Sequence, residues 1–245
     1  KNILRTIIGF YLSRKYPQRI KDRLINLVRE ELGQDFDVEK HFTPSYKPWD
    51  QRMCLVPDGD LFAAIKDNRA NVVTDTIDTF TPTGILLNSG NEIEADIVIS
   101  ATGIELNALN DINVYVDGVK VEANNKLSYK GMMLSGVPNL AITFGYVNSS
   151  WTLRADLTCE YVCRLINTMD KEGCTACAPQ EDINALVEDD YIDFTSGYVQ
   201  RALDRLPKQG KKSPWRNYQN YLLDIFYVRF FAIKDSTLRF YNPKS

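Results

Sequence analysis

The chain has a single histidine, His41, among 245 residues, so a histidine-rich metal site and any mechanism needing a second histidine are excluded. It has no apolar run near the ~20 residues needed to cross a bilayer. The longest candidate, Ile3 to Leu12, is interrupted by Arg5. A global excess of positive charge is also missing: 29 Lys plus Arg face 32 Asp plus Glu, a net charge of −3. A nucleic-acid-binding domain would normally read strongly basic, so no nucleic-acid partner is expected. The first residue is Lys1 rather than Met and no signal-peptide pattern follows, which reads as a processed or truncated chain.

Cysteine is sparse and scattered, with five residues and no secretory context, so a reduced cytoplasmic protein with free thiols is expected. Cys174 and Cys177 form one CxxC with no second copy and no nearby histidine, so they read as incidental loop cysteines, a redox pair being the alternative. No metal site is expected. Cys159 and Cys163, four apart, share a helix face and are expected to face a core.

What is present is uneven. Residues 1–34 carry eight basic and three acidic side chains, a local balance of +5, which leaves −8 for the remainder. Ile20, Leu24, Leu27, Val28 and Leu32 recur at helical spacing between Pro17 and Gly33, predicting an amphipathic helix with a solvated face over a packed one. The alternative for so basic a helix is peripheral contact with an anionic membrane surface.

From Asn71 to Gly103 the pattern changes to short β-rich runs. Val72 to Phe80, Ile85 to Asn88 and Glu92 to Ala95 read as strands, separated by Pro82-Thr83-Gly84 and Ser89-Gly90-Asn91. Ile97 to Ile99 is continuously apolar, as a strand buried on both faces would be, and runs into Ala101-Thr102-Gly103. Small residues at the end of a parallel strand let a ligand approach the backbone. A further strand is expected at Asn139 to Gly145. A helix should follow from Trp151 to Met169, with Ser149 and Ser150 as candidate N-caps. Its N-terminus, with unpaired N–H groups and partial positive charge, suits an anion or an electron-rich carbonyl. In the tail, Trp215, Tyr218, Tyr221, Leu222, Ile225, Phe226, Phe230 and Phe231 form an aromatic-rich stripe, expected to be core or a lid.

Four stretches together resemble one branch of the class B flavoprotein monooxygenases, the Baeyer–Villiger type related to the flavin-containing monooxygenases. They are His41-Phe42-Thr43-Pro44-Ser45-Tyr46-Lys47-Pro48-Trp49-Asp50-Gln51-Arg52, Ala95 through Gly103, Asn148-Ser149-Ser150-Trp151-Thr152-Leu153-Arg154-Ala155-Asp156, and Leu206-Pro207-Lys208-Gln209-Gly210 with Pro214-Trp215-Arg216 and Asn220-Tyr221. The resemblance implies an α/β fold: the C-terminal part of a flavoprotein with two Rossmann-like dinucleotide-binding domains, one for FAD and one for NADPH, plus a helical insertion. Its implied parts are a basic amphipathic insertion at 1–35, the end of the NADPH domain at 36–103, the closing part of the FAD domain at 104–172 and an aromatic-rich extension at 173–245. None of the 13 glycines forms the GxGxxG that cradles a dinucleotide phosphate in this family. The expected partner is therefore the N-terminal half of the same protein.

The activity implied is reduction of FAD by NADPH, addition of O2 at flavin C4a, and attack of the resulting peroxyflavin on a ketone, sulfide or amine. Arg52 matches the family's catalytic arginine. Gln51 stands where the cyclic-ketone branch has a lysine associated with cofactor phosphate, which leaves NADPH preference open. Ser149, Ser150, Trp151, Thr152 and Leu153 are carried over as FAD contacts, and Ala101, Thr102 and Gly103 as cofactor-binding residues at the interdomain crossing. Two other classes stay open: another FAD/NAD(P)H oxidoreductase, such as an amine N-hydroxylase or a reductase, and a catalytically silent piece lacking both phosphate loops.

Overall fold

A computed structural model describes residues 2–107, 109, 111–180, 188–192 and 194–243. Lys1, counted above with the basic segment, and residues 181–187 of the tail lie outside the described residues. Chain contacts divide the protein into two units, Tyr11–Ile104 and Glu105–Ser245 together with the first ten residues. The fold is mixed α/β with small sheets.

The chain opens with helix α1 (Asn2–Lys15). In the first unit, α2 (Pro17–Leu32) begins at a proline in its first turn and stops at Gly33, as its spacing predicted. No α2 residue is buried, and Leu27 is 48% exposed, so the expected packed face is only half covered. Helices α3 (Val38–Phe42) and α4 (Asp60–Lys66) pack on α2, with Arg29 paired to Glu39 and Lys66 3.6 Å from Glu31. Phe42 joins Phe36 and Phe62 at ring separations of 5.8 and 5.9 Å. An antiparallel meander follows, of β1 (Ile77–Phe80), β2 (Gly84–Leu87) and β3 (Glu92–Glu94), turning where the Gly-containing triplets were expected to turn.

The next expected strand is not formed. Residues 96–104 are outside any named strand, and Ile97 and Ile99 are 80% and 85% exposed. A strand buried on both faces needs ladder partners on its edges and cover on its faces. The described residues supply neither, and their named strands pair only in antiparallel ladders.

In the second unit, hairpins β4 (Tyr115–Val116) with β5 (Val119–Lys120) and β6 (Ser128–Tyr129) with β7 (Met133–Leu134) precede the long helix α5 (Trp151–Glu172). Burial alternates along the run from Asn139 to Gly145, with Leu140, Ile142 and Phe144 half-buried, yet the run enters no named strand and begins at Asn139 in the left-handed region, φ 56°. Single bonds from Asn139 N–H to the Cys177 carbonyl and from Ile142 N–H to the Met132 carbonyl hold it instead. Leu157, Tyr161 and Leu165 align at i, i+4, i+8 and bury one face of α5 against Tyr129, Met132, Cys177, Trp215 and Val228. Cys159 and Cys163 lie two residues further round, on the opposite face, and are exposed, which corrects their expected burial.

Strand β8 (Ala176–Pro179) pairs antiparallel with the last strand, β11 (Leu238–Tyr241). Cys177 is thus a buried strand residue rather than a loop cysteine, and burial pushes its thiol up to about 11. Strands β9 (Glu188–Asp190) and β10 (Lys208–Gly210), the short helix α6 (Gly197–Gln200) and a second cluster around Tyr191, Phe194 and Leu206 lead to α7 (Tyr221–Arg229), which packs on α5. The aromatic stripe divides: Trp215 is buried and Tyr221 and Ile225 pack on the core, whereas Phe226, Phe230 and Phe231 are exposed. No helix among the described residues is long and apolar enough to cross a membrane.

Candidate functional site

In the first unit, Gln51 and Arg52 leave a tight turn. The Asp50 N–H donates to the Lys47 carbonyl at 3.0 Å, and the Asp50 carboxylate accepts from the Lys47 N–H at 3.2 Å and from Arg14 Nη1 at 2.7 Å. Trp49 sits in the left-handed region at φ 69°, a strained conformation for an aromatic residue of the kind found where a loop is held for function. An isolated bridge joins Pro48 to Gln51. Beyond it Gln51 is half-buried and Arg52 exposed. His41 Nδ1 lies 2.8 Å from Thr74 Oγ1 and its ring 5.4 Å from Phe36, a packed, hydrogen-bonded histidine. Ala101, Thr102 and Gly103 are exposed in the run after the meander that enters no named strand, and Gly103 takes φ 123°, which a side chain would resist.

In the second unit, Ser149–Leu153 form the entry to α5. Ser150 occupies the N-cap position, but its side chain caps no backbone amide. Its hydroxyl lies 2.7 Å from Thr152 Oγ1 instead. This corrects the expected serine cap: the Leu153 N–H donates to the Ser150 carbonyl at 3.3 Å, and the Ser150 side chain takes up none of the other first-turn N–H groups at the positive end of this 22-residue helix. Trp151 is 52% exposed, so it is a surface wall rather than core. Its ring lies 5.4 Å from Phe144 and covers Gly145, where any Cβ would overlap the indole.

One turn into α5, Arg154 is buried. Its Nη1 donates to Asp224 Oδ2 at 2.5 Å, and the Tyr146 hydroxyl donates to the same oxygen at 2.6 Å. Nη2 donates to the Lys130 carbonyl, next to Gly131 at φ 66°, where a Cβ would overlap the guanidinium. Burial opposes the Arg154 charge, but Asp224, Tyr146 and Tyr191 outweigh it and raise its pKa. Burial and then the Asp224 carboxylate push the Tyr146 hydroxyl above its ordinary range. Arg154 stands in one of the resembling stretches without an assigned role, and Asp224 and Tyr146 carry no signal in the sequence. Their separations of about 70 residues leave no local signal. The one available hint was a charged residue on the apolar side of an amphipathic helix.

The expected site residues therefore lie in two units, Gln51, Arg52 and Ala101–Gly103 in one and Ser149–Leu153 in the other. A polar cleft of about 230 Å³ beside Asp111, Lys120, Glu122 and Arg205 includes none of them. It falls below the range of about 300–1,000 Å³ usual for ligand pockets.

Comparison with known proteins finds similar sequences. No family model matches the chain. Its homologues among curated proteins are FAD-containing monooxygenases. The "FAD-containing monooxygenase EthA" of Mycobacterium tuberculosis is 49% identical over 240 residues, which cover 98% of this chain and 49% of that protein. EthA of Mycolicibacterium smegmatis is 46% identical over the same shares of both chains. The "Probable FAD-binding monooxygenase AlmA" of Acinetobacter baylyi is 45% identical over 234 residues, 95% of this chain and 47% of that protein. The chain spans about half the length of the curated relatives it matches.

Proposed function

We propose that this chain is the C-terminal part of an FAD- and NADPH-dependent, Baeyer–Villiger-type monooxygenase that places one oxygen atom of O2 into a ketone or onto sulfur or an amine nitrogen. The observation that carries this reading is the similarity to an FAD-containing monooxygenase over 98% of the chain. The amides at the α5 entry, which no side chain caps, fit an electron-rich ring edge and support a flavin there.

When bound, FAD would supply the transfer of electrons from NADPH to O2. The backbone of Ser149–Leu153 would hold it, with the helix terminus favouring negative charge that builds on the reduced ring. Trp151, half-exposed against Phe144, would shield one side of that entry from water. Arg52 would face negative charge on oxygen. Its guanidinium keeps its protons at any working pH, so it offers charge and N–H donors without protonating the anion. Gln51 would meet NADPH with an uncharged amide, and Ala101–Gly103 would let the backbone approach a cofactor closely.

The N-terminal half of the same protein is the proposed partner, supplying both phosphate-binding loops and the sheet against which Ile97 and Ile99 would be covered. As a separate polypeptide the 245 residues would be catalytically silent. The basic segment 1–34 is proposed as a peripheral contact for anionic membrane, since α2 buries no residue and leaves Leu27 exposed.

The test is made on the full-length protein. Bound flavin should give absorption bands near ~370 and ~450 nm, and NADPH oxidation should yield an oxygenated product. NADPH oxidation without oxygenated product would favour a reductase. Arg52→Ala should keep the flavin bands and lower product formation by about 10²–10³-fold, the scale of a lost transition-state donor. Product at an undiminished rate sinks the assignment of Arg52.

A further inference from the structure

The α5 entry is held on both sides by one short stretch of the tail. Before the entry, Gln219 Oε1 accepts the Val147 N–H at 2.9 Å, and the Gln219 carbonyl accepts from Asn148 Nδ2 at 3.2 Å. After it, Asp224 holds Arg154, and the same carboxylate oxygen reaches back to Tyr146. Asn220, between the two, caps α7 by accepting the N–H groups of Leu222 and Leu223 at 3.1 and 3.3 Å. The helix that carries Asp224 therefore starts at Tyr221, two residues after Gln219. Thus Tyr146, Val147 and Asn148 upstream and Arg154 downstream are all fixed by residues 219–224, and Ser149–Leu153 are suspended between them.

Gln219 is a costly residue to keep in this state. It takes φ 50°, in the left-handed region, and its Nε2 is buried with no partner among the described residues. Backbone strain and an unspent buried donor persist only where surrounding structure over-determines them, and they concentrate at functional sites.

We infer that residues 219–224 form a clamp that sets the shape of the α5 entry, with Gln219 and Asp224 as positioning residues for cofactor binding through Val147, Asn148 and Arg154. The consequence for flavin rests on the function proposed above. The clamp itself does not. It gives the C-terminal extension a defined task, that of holding the Ser149–Leu153 amides in one arrangement before any ligand arrives.

The experiment compares full-length protein with Gln219→Ala and Gln219→Glu, reading FAD affinity by flavin fluorescence and amide hydrogen exchange across 147–153 in the flavin-free protein. Gln219→Ala should speed exchange at 147–153 about tenfold and weaken FAD binding about tenfold, the scale of one lost hydrogen bond. Exchange in the β8–β11 ladder should not change. Gln219→Glu keeps an acceptor for the Val147 N–H and should restore both readings to within about threefold. Unchanged exchange at 147–153, or a loss that glutamate does not restore, overturns the clamp. Faster exchange with undiminished FAD affinity overturns the positioning role. If the parent protein binds no FAD, the proposed function falls, and hydrogen exchange still decides the clamp.

Discussion

The two units differ in what they do with their apolar residues. In the second unit, α5, β6, β7, β8, β11 and α7 enclose a continuous core in which Tyr129, Leu157 and Cys177 have no measurable exposure. In the first, only Val38, Pro48, Ile65 and Leu87 are buried apolar side chains among the described residues, while Leu55, Ile97 and Ile99 are 80% exposed or more. Both units have ordinary apolar content. What separates them is whether the chain brings its own partners: α5 finds opposite faces from residues up to about 80 positions away, and the Ile97–Ile99 run finds none. Large apolar side chains left in water beside regular structure mark a surface made for something else. Under the function proposed above, that something is the other half of the protein.

This contrast can be tested. The largest effect expected on stability is at the buried pair. Asp224→Ala strands the Arg154 charge and should cost about 3–5 kcal/mol in urea unfolding, as loss of one partner of a buried ion pair does. An equal, small effect from Asp224→Ala and a surface substitution would contradict the burial described for it. Next comes a matched pair in the two units. Leu157→Ala should cost about 2–5 kcal/mol in the 245-residue chain. Ile97→Ala should change its stability by no more than about 0.5 kcal/mol. In the full-length protein Ile97→Ala should become destabilising. If it stays neutral there, Ile97 meets no partner.

A pH effect follows from Cys177. Its thiol is raised from an ordinary value of 9.0 to about 11 by burial, then by Asp235 and Cys174. The folded state thus holds this proton more tightly, so the contribution is complete below pH 9 and is lost as pH rises toward 11. Cys177→Ala should remove that part of the alkaline fall in stability, measured as the difference between the two unfolding profiles. Thiol labelling at neutral pH should modify Cys54, Cys159 and Cys163 and spare Cys177 until the protein unfolds. The smallest effect is expected on α2: Arg19→Glu with Arg23→Glu should leave stability within about 0.5 kcal/mol and lower sedimentation with anionic vesicles. Parent protein that fails to sediment with such vesicles would end the membrane proposal.

Elements with local punctuation were legible from the residues. Pro17 and Gly33 frame α2, and the turn triplets at 82–84 and 89–91 separate the strands of the meander, whereas α5 runs past the expected end at Met169 to Glu172, where Gly173 stops it. The runs at 97–99 and 139–145 were misread for one reason. Apolar content records that a segment is meant to be covered, but strand geometry needs a neighbour to bond with, and no neighbour is written in the segment itself. The site divides in the same way. Gln51, Arg52 and Ser149–Leu153 stand in stretches whose resemblance could be seen by eye. Gln219 and Asp224 act across about 70 residues, and nothing beside either one announces its partner.

The shared oxygen of Asp224 has a consequence for truncation. A chain stopped just before residue 219 would keep Arg52, Ala101–Gly103 and all of Ser149–Leu153, and of the stretches that carry the resemblance it would lose only Asn220-Tyr221. It would also lose β11 from the edge of β8, and Arg154 would lose its counter-ion. Under the function proposed above, loss of the last tenth of this chain is therefore expected to silence the protein while leaving Arg52 and Ser149–Leu153 in the sequence.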